Sequence, residues 1–110
     1  MFSSKDWRPE RIKAREVHSK WNETLEAKGL DNKARGIQTS KNYKANIGKR
    51  SKELDEELNY GDIQASFSTE ELERHTRLEE KQIYHVEQAK SRDQAVKKCK
   101  EVRDNQSWWW

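Results

Sequence analysis

Between Asp62 and Trp110 the chain contains no glycine and no proline. That stretch opens on Ser68 with Glu71 three residues on, the pairing in which a hydroxyl and a carboxylate each cap the other's backbone amide. Phe67 stands where it can staple onto Leu72. With no breaker downstream, the pattern predicts one long helix over 68–104, continuous from 69 to 103 and roughly 50 Å in length. Acids fill its first turns (Glu70, Glu71, Glu73) and bases its last (Lys97, Lys98, Lys100, Arg103), as the helix dipole favours. Glu70–Arg74, Glu73–Arg77 and Asp93–Lys97 are spaced for i, i+4 ion pairs. The apolar stripe is thin: Leu72, Leu78, Ile83, Val86, Ala89 and Val96, interrupted by Glu79 and Asp93. That is too narrow for a sustained coiled-coil seam, so docking between other subunits is expected ahead of a parallel homodimer.

Residues 1–29 read as an N-terminal helical segment. Asp6 is a candidate N-cap, Pro9 sits in the first turn, and Ile12, Val17, Trp21 and Leu25 recur near helical spacing. Gly29 followed by Leu30 predicts a left-handed cap with its apolar follower. Residues 30–67 read as a basic extended arm, punctuated by Gly36 and Gly48 and carrying one short helix over 52–59 with Leu54 and Leu58. No acid occurs from Asn32 to Lys52, whereas Lys33, Arg35, Lys41, Lys44, Lys49, Arg50 and Lys52 all fall there, with Ile37, Tyr43 and Ile47 among them. Gly61 is expected to close the short helix, and 62–67 to be extended. Residues 105–110 are a tail ending in Trp108, Trp109 and Trp110.

Only 17 of the 110 residues are Leu, Ile, Val or Phe, and the mean hydropathy is −1.40. Backbone ordering costs about 1–2 kcal/mol per residue, more than so few apolar side chains are expected to offset. The fold class expected is therefore all-α and non-globular: an extended helix–arm–helix chain with no independent core, ordered on a host surface. The arm's cations would face acidic protein or nucleic-acid phosphates, with Tyr43 and Ile47 as apolar pegs. The three tryptophans would anchor the tail in a partner, since such side chains dominate interface energies. The net charge of +3, from 23 bases and 20 acids, is not that of a nucleic-acid tail.

No constellation for catalysis stands out, and the expectation is a non-enzyme with no cofactor and no metal. His18, His75 and His85 read as solvated, without Cys, Asp or Glu partners at ligand spacing. His75 and His85 are ten positions apart, about 15 Å along a helix, too far to share an ion. The single cysteine, Cys99, excludes an internal disulfide, favours a reducing compartment and reads as a seam residue. No apolar run approaches the ~20 residues of a membrane span. There is no secretory apolar region, and Asp6, Glu10 and Glu16 argue against a mitochondrial presequence.

Residues 11–30, Arg-Ile-Lys-Ala-Arg-Glu-Val-His-Ser-Lys-Trp-Asn-Glu-Thr-Leu-Glu-Ala-Lys-Gly-Leu, resemble a helical element of small ciliary and flagellar microtubule inner proteins. The element has an Arg-rich start, an aromatic residue, a leucine four residues on and a glycine four after that, here Trp21, Leu25 and Gly29. It departs at Arg15, where a leucine is usual. The resemblance implies a structural protein stapled to ciliary doublet microtubules, with Trp21, Leu25 and Gly29 at the partner contact, tubulin and neighbouring axonemal proteins as partners, and a place in the cytoskeleton of the cilium or flagellum. Two other readings stay open: a small peripheral subunit of a ribonucleoprotein such as a mitochondrial ribosome, with the arm on RNA, and a helical accessory subunit of a membrane complex.

Overall fold

The computed structural model describes residues 8–58 and 63–109. The expected cap at Asp6, the closing Gly61, Asp62 and Trp110 lie outside the described residues. The elements are α1 (Pro9–Ala27), α2 (Asn32–Ile47), α3 (Ser51–Glu57), a 3-10 turn at Gln64–Ser66, α4 (Thr69–Glu87), α5 (Arg92–Asn105) and a second 3-10 turn at Ser107–Trp109. No strand occurs among the described residues, and the segment expected to be extended before Phe67 is the first of these turns.

The first helix ends as its sequence predicts. Gly29 takes φ +94°. Its N–H donates to the Glu26 carbonyl at 2.9 Å, and that of Leu30 donates to Leu25 at 3.1 Å. This is the Schellman pair, and Leu25 and Leu30 share one apolar cluster.

The expected arm is instead largely helix. The Asp31 carboxylate accepts from the Ala34 N–H at 2.8 Å and starts α2, and Gly48 at φ +80° ends it. The buried face of α2 is Ala34, Gln38, Asn42 and Asn46 at strict four-residue spacing, with Tyr43 beside them. That face is made mostly of amides, so a search for apolar periodicity passes over it.

The long helix is also broken. It turns at Gln88–Ser91 into two helices, α4 and α5. Ser91 Oγ accepts from the Gln94 N–H at 3.2 Å, and Gln94 Oε1 accepts from the Lys90 N–H at 2.8 Å. This cap is close kin to the one at Ser68, whose hydroxyl accepts from Glu71 N–H at 3.1 Å while its N–H donates to Glu71 Oε1 at 2.8 Å. Lys28 covers the carbonyl of Ala89 at 2.8 Å, and Ala89 itself is buried.

The turn folds the chain back into a bundle centred on α4. Helix α1 runs parallel to α4: His18–Glu79, Trp21–Gln82 and Lys28–Ala89 are all paired across 61 positions of sequence. Helix α2 runs antiparallel to α4, since Asn42 meets Gln82 and Asn46 meets Glu71. Helix α5 returns along α4 from Ser91 to Trp108, whose carbonyl accepts from Arg77 Nε at 3.0 Å. The extents are 42 × 27 × 24 Å with a radius of gyration of 13.6 Å, against about 13 Å for a compact chain of 100 residues. The expectation of an extended chain with no core of its own is therefore corrected.

The core exists because it is not built from Leu, Ile, Val and Phe alone. Trp21, Trp108, Tyr43, Cys99, Ala14, Ala34, Ala89 and Ala95 are all buried. Buried amides complete it. Gln82 Oε1 accepts from Trp21 Nε1 at 2.8 Å and from Asn42 Nδ2 at 2.9 Å. Gln82 Nε2 donates to Asn42 Oδ1 at 3.0 Å and to the Cys99 carbonyl at 3.1 Å. Arg103 reaches in from α5 to Gln38 Oε1 at 2.8 Å and Asn42 Oδ1 at 3.1 Å. Partnered in this way, polar side chains fill volume without the penalty of an unmade hydrogen bond.

Candidate functional site

The residues expected to meet a partner separate into two groups. Trp21 and Leu25 are fully buried in the cluster between α1, α4 and α5. Gly29 is the cap of α1. Tyr43 is buried, its ring edge-on to Phe67 at 5.5 Å, and Ile47 packs beside it, half-buried. These five serve the protein's own fold: Trp21, Leu25 and Tyr43 are enclosed by it, whereas Gly29 is exposed and Ile47 half-buried. Trp108 belongs with them: it is 1% exposed, packs on Leu78 and Val102, and donates Nε1–H to the Arg103 carbonyl at 3.2 Å. The helix stops at Asn105, and Gln106 at φ 60° turns the tail inward onto α4. Trp109 is the partly open one, 39% exposed, with the Arg74 guanidinium 4.5 Å above its ring.

The cations form the second group. Arg35 is turned back to its own chain, donating to the Leu30 carbonyl at 3.1 Å and to the Asn32 side chain. Lys49 pairs with Glu57, 2.6 Å from Oε2. Lys33, Lys41, Lys44 and Arg50 are exposed. Lys41, Lys44 and Arg50 line one wall of a groove of about 560 Å³, and Lys100 and Arg103 of α5 line the other. Lys100 was not among the residues expected at a partner contact. It lies 56 positions from Lys44, and only the fold brings the two together. Among the described residues Asp104 is the one carboxylate on the groove, and Lys100 pairs with it at 2.6 Å.

A titratable cluster lies between α1 and α4, and two of the three histidines expected to be solvated, His18 and His75, are at its centre, whereas His85 is exposed. His75 and Glu79 are fully buried, and the His18 side chain is 30% exposed. Glu79 Oε2 sits 2.6 Å from His18 Nδ1 and 3.3 Å from His75 Nε2. Burial pushes the Glu79 carboxyl up, but the charge of His75 and hydrogen bonds from both histidines outweigh it and hold its pKa down at about 2. Burial lowers His18, and the hydrogen bond and charge of Glu79 overcome that and raise it. His18 stacks on Trp21, centroids 5.4 Å apart, and Tyr43 lies against His75 at 5.2 Å. The i, i+4 spacing of His75 and Glu79 was a ligand-spacing signal available in the sequence; His18 comes from another helix and carried none. Cys99 is buried, as a seam residue would be, and burial pushes its thiol up to about 11.

No helix among the described residues is long and apolar enough to cross a membrane. No family model, curated protein or solved structure matches the chain.

Proposed function

We propose that the chain is a non-enzymatic docking module that seats its basic groove on an acidic protein surface within a larger assembly. The observation that carries this reading is the convergence of Lys41, Lys44 and Arg50 with Lys100 on one groove whose single carboxylate is already paired. Asp104 pairs with Lys100, whereas Lys41, Lys44 and Arg50 meet no other carboxylate among the described residues lining the groove, and like charges held together there favour an anionic surface opposite. The preferred host is tubulin in ciliary doublet microtubules, which the resemblance of residues 11–30 implies and whose acidic surface suits the groove. The module docks as a folded body, so the contact is made by surface cations and not by the buried Trp21 face.

Each exposed ion pair contributes about 0.2–1 kcal/mol, so binding through this groove is modest and falls with salt. The test is cosedimentation with microtubules of wild type and of a Lys41→Glu, Lys44→Glu, Lys100→Glu triple variant. Charge reversal at three sites is expected to cost about 2–3 kcal/mol, or roughly 30- to 150-fold in Kd. Equal binding by the triple variant would overturn the reading. Retention on homopolymeric RNA but not on microtubules would replace it with a nucleic-acid contact.

A further inference from the structure

We propose that His18, His75 and Glu79 bind one divalent transition-metal ion of the zinc class between α1 and α4. Their ligand atoms, two imidazole nitrogens and a carboxylate oxygen, all lie within 4.8 Å of one another. Two histidines and a glutamate are a donor set that zinc accepts with three protein ligands and an open fourth position. Neutral imidazoles beside one carboxylate suit zinc better than the hard, oxygen-seeking ions.

The distances are near what an ion requires. Tetrahedral ligands at about 2.0–2.1 Å from zinc stand about 3.3 Å apart. His75 Nε2 and Glu79 Oε2 are already at 3.3 Å. His18 Nδ1 and Glu79 Oε2, at 2.6 Å, would open by several tenths of an ångström. His18 is the member able to move, because its side chain reaches the surface whereas the other two are enclosed.

One further observation points to a ligand. Glu79 Oε1 is buried with no hydrogen-bond partner, an arrangement that is costly for an ionised carboxylate. An ion seated at Glu79 would share its charge over both oxygens. His75 Nε2 faces the Glu79 oxygen at 3.3 Å and the Gln64 side-chain nitrogen at 3.5 Å. A proton there would suit the carboxylate and oppose the amide donor. A lone pair there would suit the amide and, without a cation, oppose the carboxylate. A metal ion on Nε2 takes that lone pair and suits the carboxylate, and the Gln64 amide then donates to the Tyr43 hydroxyl at 3.2 Å instead.

A groove of about 540 Å³ reaches His18 from outside, with Arg15, Asn22, Asp55 and Gln64 on its walls, and provides an entry path. Arg11 lines the same groove and opposes a cation, while ionised Glu79 favours one. Ligation also needs both imidazoles deprotonated, so uptake should strengthen toward mildly alkaline pH.

The test uses the full chain, stripped with a chelator and dialysed against Zn2+ at mildly alkaline pH. One Zn2+ per chain is expected. Co2+ in its place should give the visible bands of a four-coordinate site without thiolate charge transfer. His18→Ala is expected to weaken Zn2+ binding by more than the about 10- to 100-fold that losing a supporting contact costs. His85→Ala, on the exposed face of α4, should leave it unchanged. A folded wild-type chain that takes up no stoichiometric zinc overturns the proposal and leaves a metal-free His–Glu–His triad. Uptake that survives His18→Ala, or that is lost with His85→Ala, overturns it by placing the ion elsewhere. If His18→Ala does not fold, the ring resonances decide: Zn2+ must shift those of His18 and His75 and not those of His85.

Discussion

The Trp21 indole N–H donates to the side-chain oxygen of Gln82 at 2.8 Å, and both residues are wholly buried. Gln82 also holds Asn42 and the Cys99 carbonyl, so one amide ties α1, α2 and α5 to α4. Gln82→Leu keeps most of the volume but strands Trp21 Nε1 and Asn42 Nδ2, and takes from the Cys99 carbonyl its side-chain donor. At about 1–3 kcal/mol for each stranded group, with partial relaxation, the expected loss is about 3–5 kcal/mol. Urea unfolding measures it. A loss below about 1 kcal/mol would show that the network is not a support of the fold.

Trp108 and Trp109 are neighbours in sequence with opposite roles. Trp108→Ala empties a filled site between Leu78 and Val102 and should cost about 3–5 kcal/mol. Trp109→Ala removes a partly exposed ring stacked under Arg74 and should cost about 0.5–1 kcal/mol. Equal costs for the two variants would contradict the inward turn of the tail.

Gly36 lies within α2, and a Cβ added there would meet nothing within 4 Å. Gly36→Ala should therefore raise stability by about 0.5–1 kcal/mol, through the smaller entropy lost on folding. Thermal unfolding of the two proteins checks this. A fall in Tm would mean that the residue is not helical.

Cys99 gives a pH dependence whose sign follows from burial. Its thiol ordinarily ionises near 9.0 and is pushed up to about 11 in the fold. Below pH 9.0 the thiol is protonated in both folded and unfolded chains, and its contribution is fully present. Between pH 9.0 and about 11 the unfolded chain releases a proton that the folded one keeps, so stability falls as pH rises. The stability difference between wild type and Cys99→Ala should shrink across that window. A thiol reagent should label native protein slowly and denatured protein fast; fast labelling of the native state would contradict the burial.

What could be read from the residues depended on how local the signal was. The Ser68–Glu71 box and the Gly29–Leu30 cap are short-range devices, and both form. The Ser91–Gln94 cap has the same kind of spacing, but the absence of glycine and proline favoured a continuous helix. Helix α2 was missed because its inward face is Ala34, Gln38, Asn42 and Asn46, and amides enter a core only when partners such as Gln82 and Arg103 stand opposite. The basic groove was half legible. Lys41, Lys44 and Arg50 belong to the acid-free run, whereas Lys100 joins them only through packing. The histidine cluster had the same limit: His75 and Glu79 are one helical turn apart, but His18 is 61 positions from Glu79.

The parallel register of α1 with α4 bears on how the chain is made. Every partner of Trp21 and His18 on α4 arrives about sixty residues after them, and a growing chain extends at about 5–20 residues per second. For several seconds α1 is an amphipathic segment with its binding face uncovered, which a chaperone or a wrong neighbour could occupy. Sheltering comes only when 69–87 emerges, and the loop to be closed by then is long enough to slow the search. A synonymous change that stalls synthesis between Gly48 and Ser68 would lengthen that exposure and lower the yield of folded protein without altering a single contact in it.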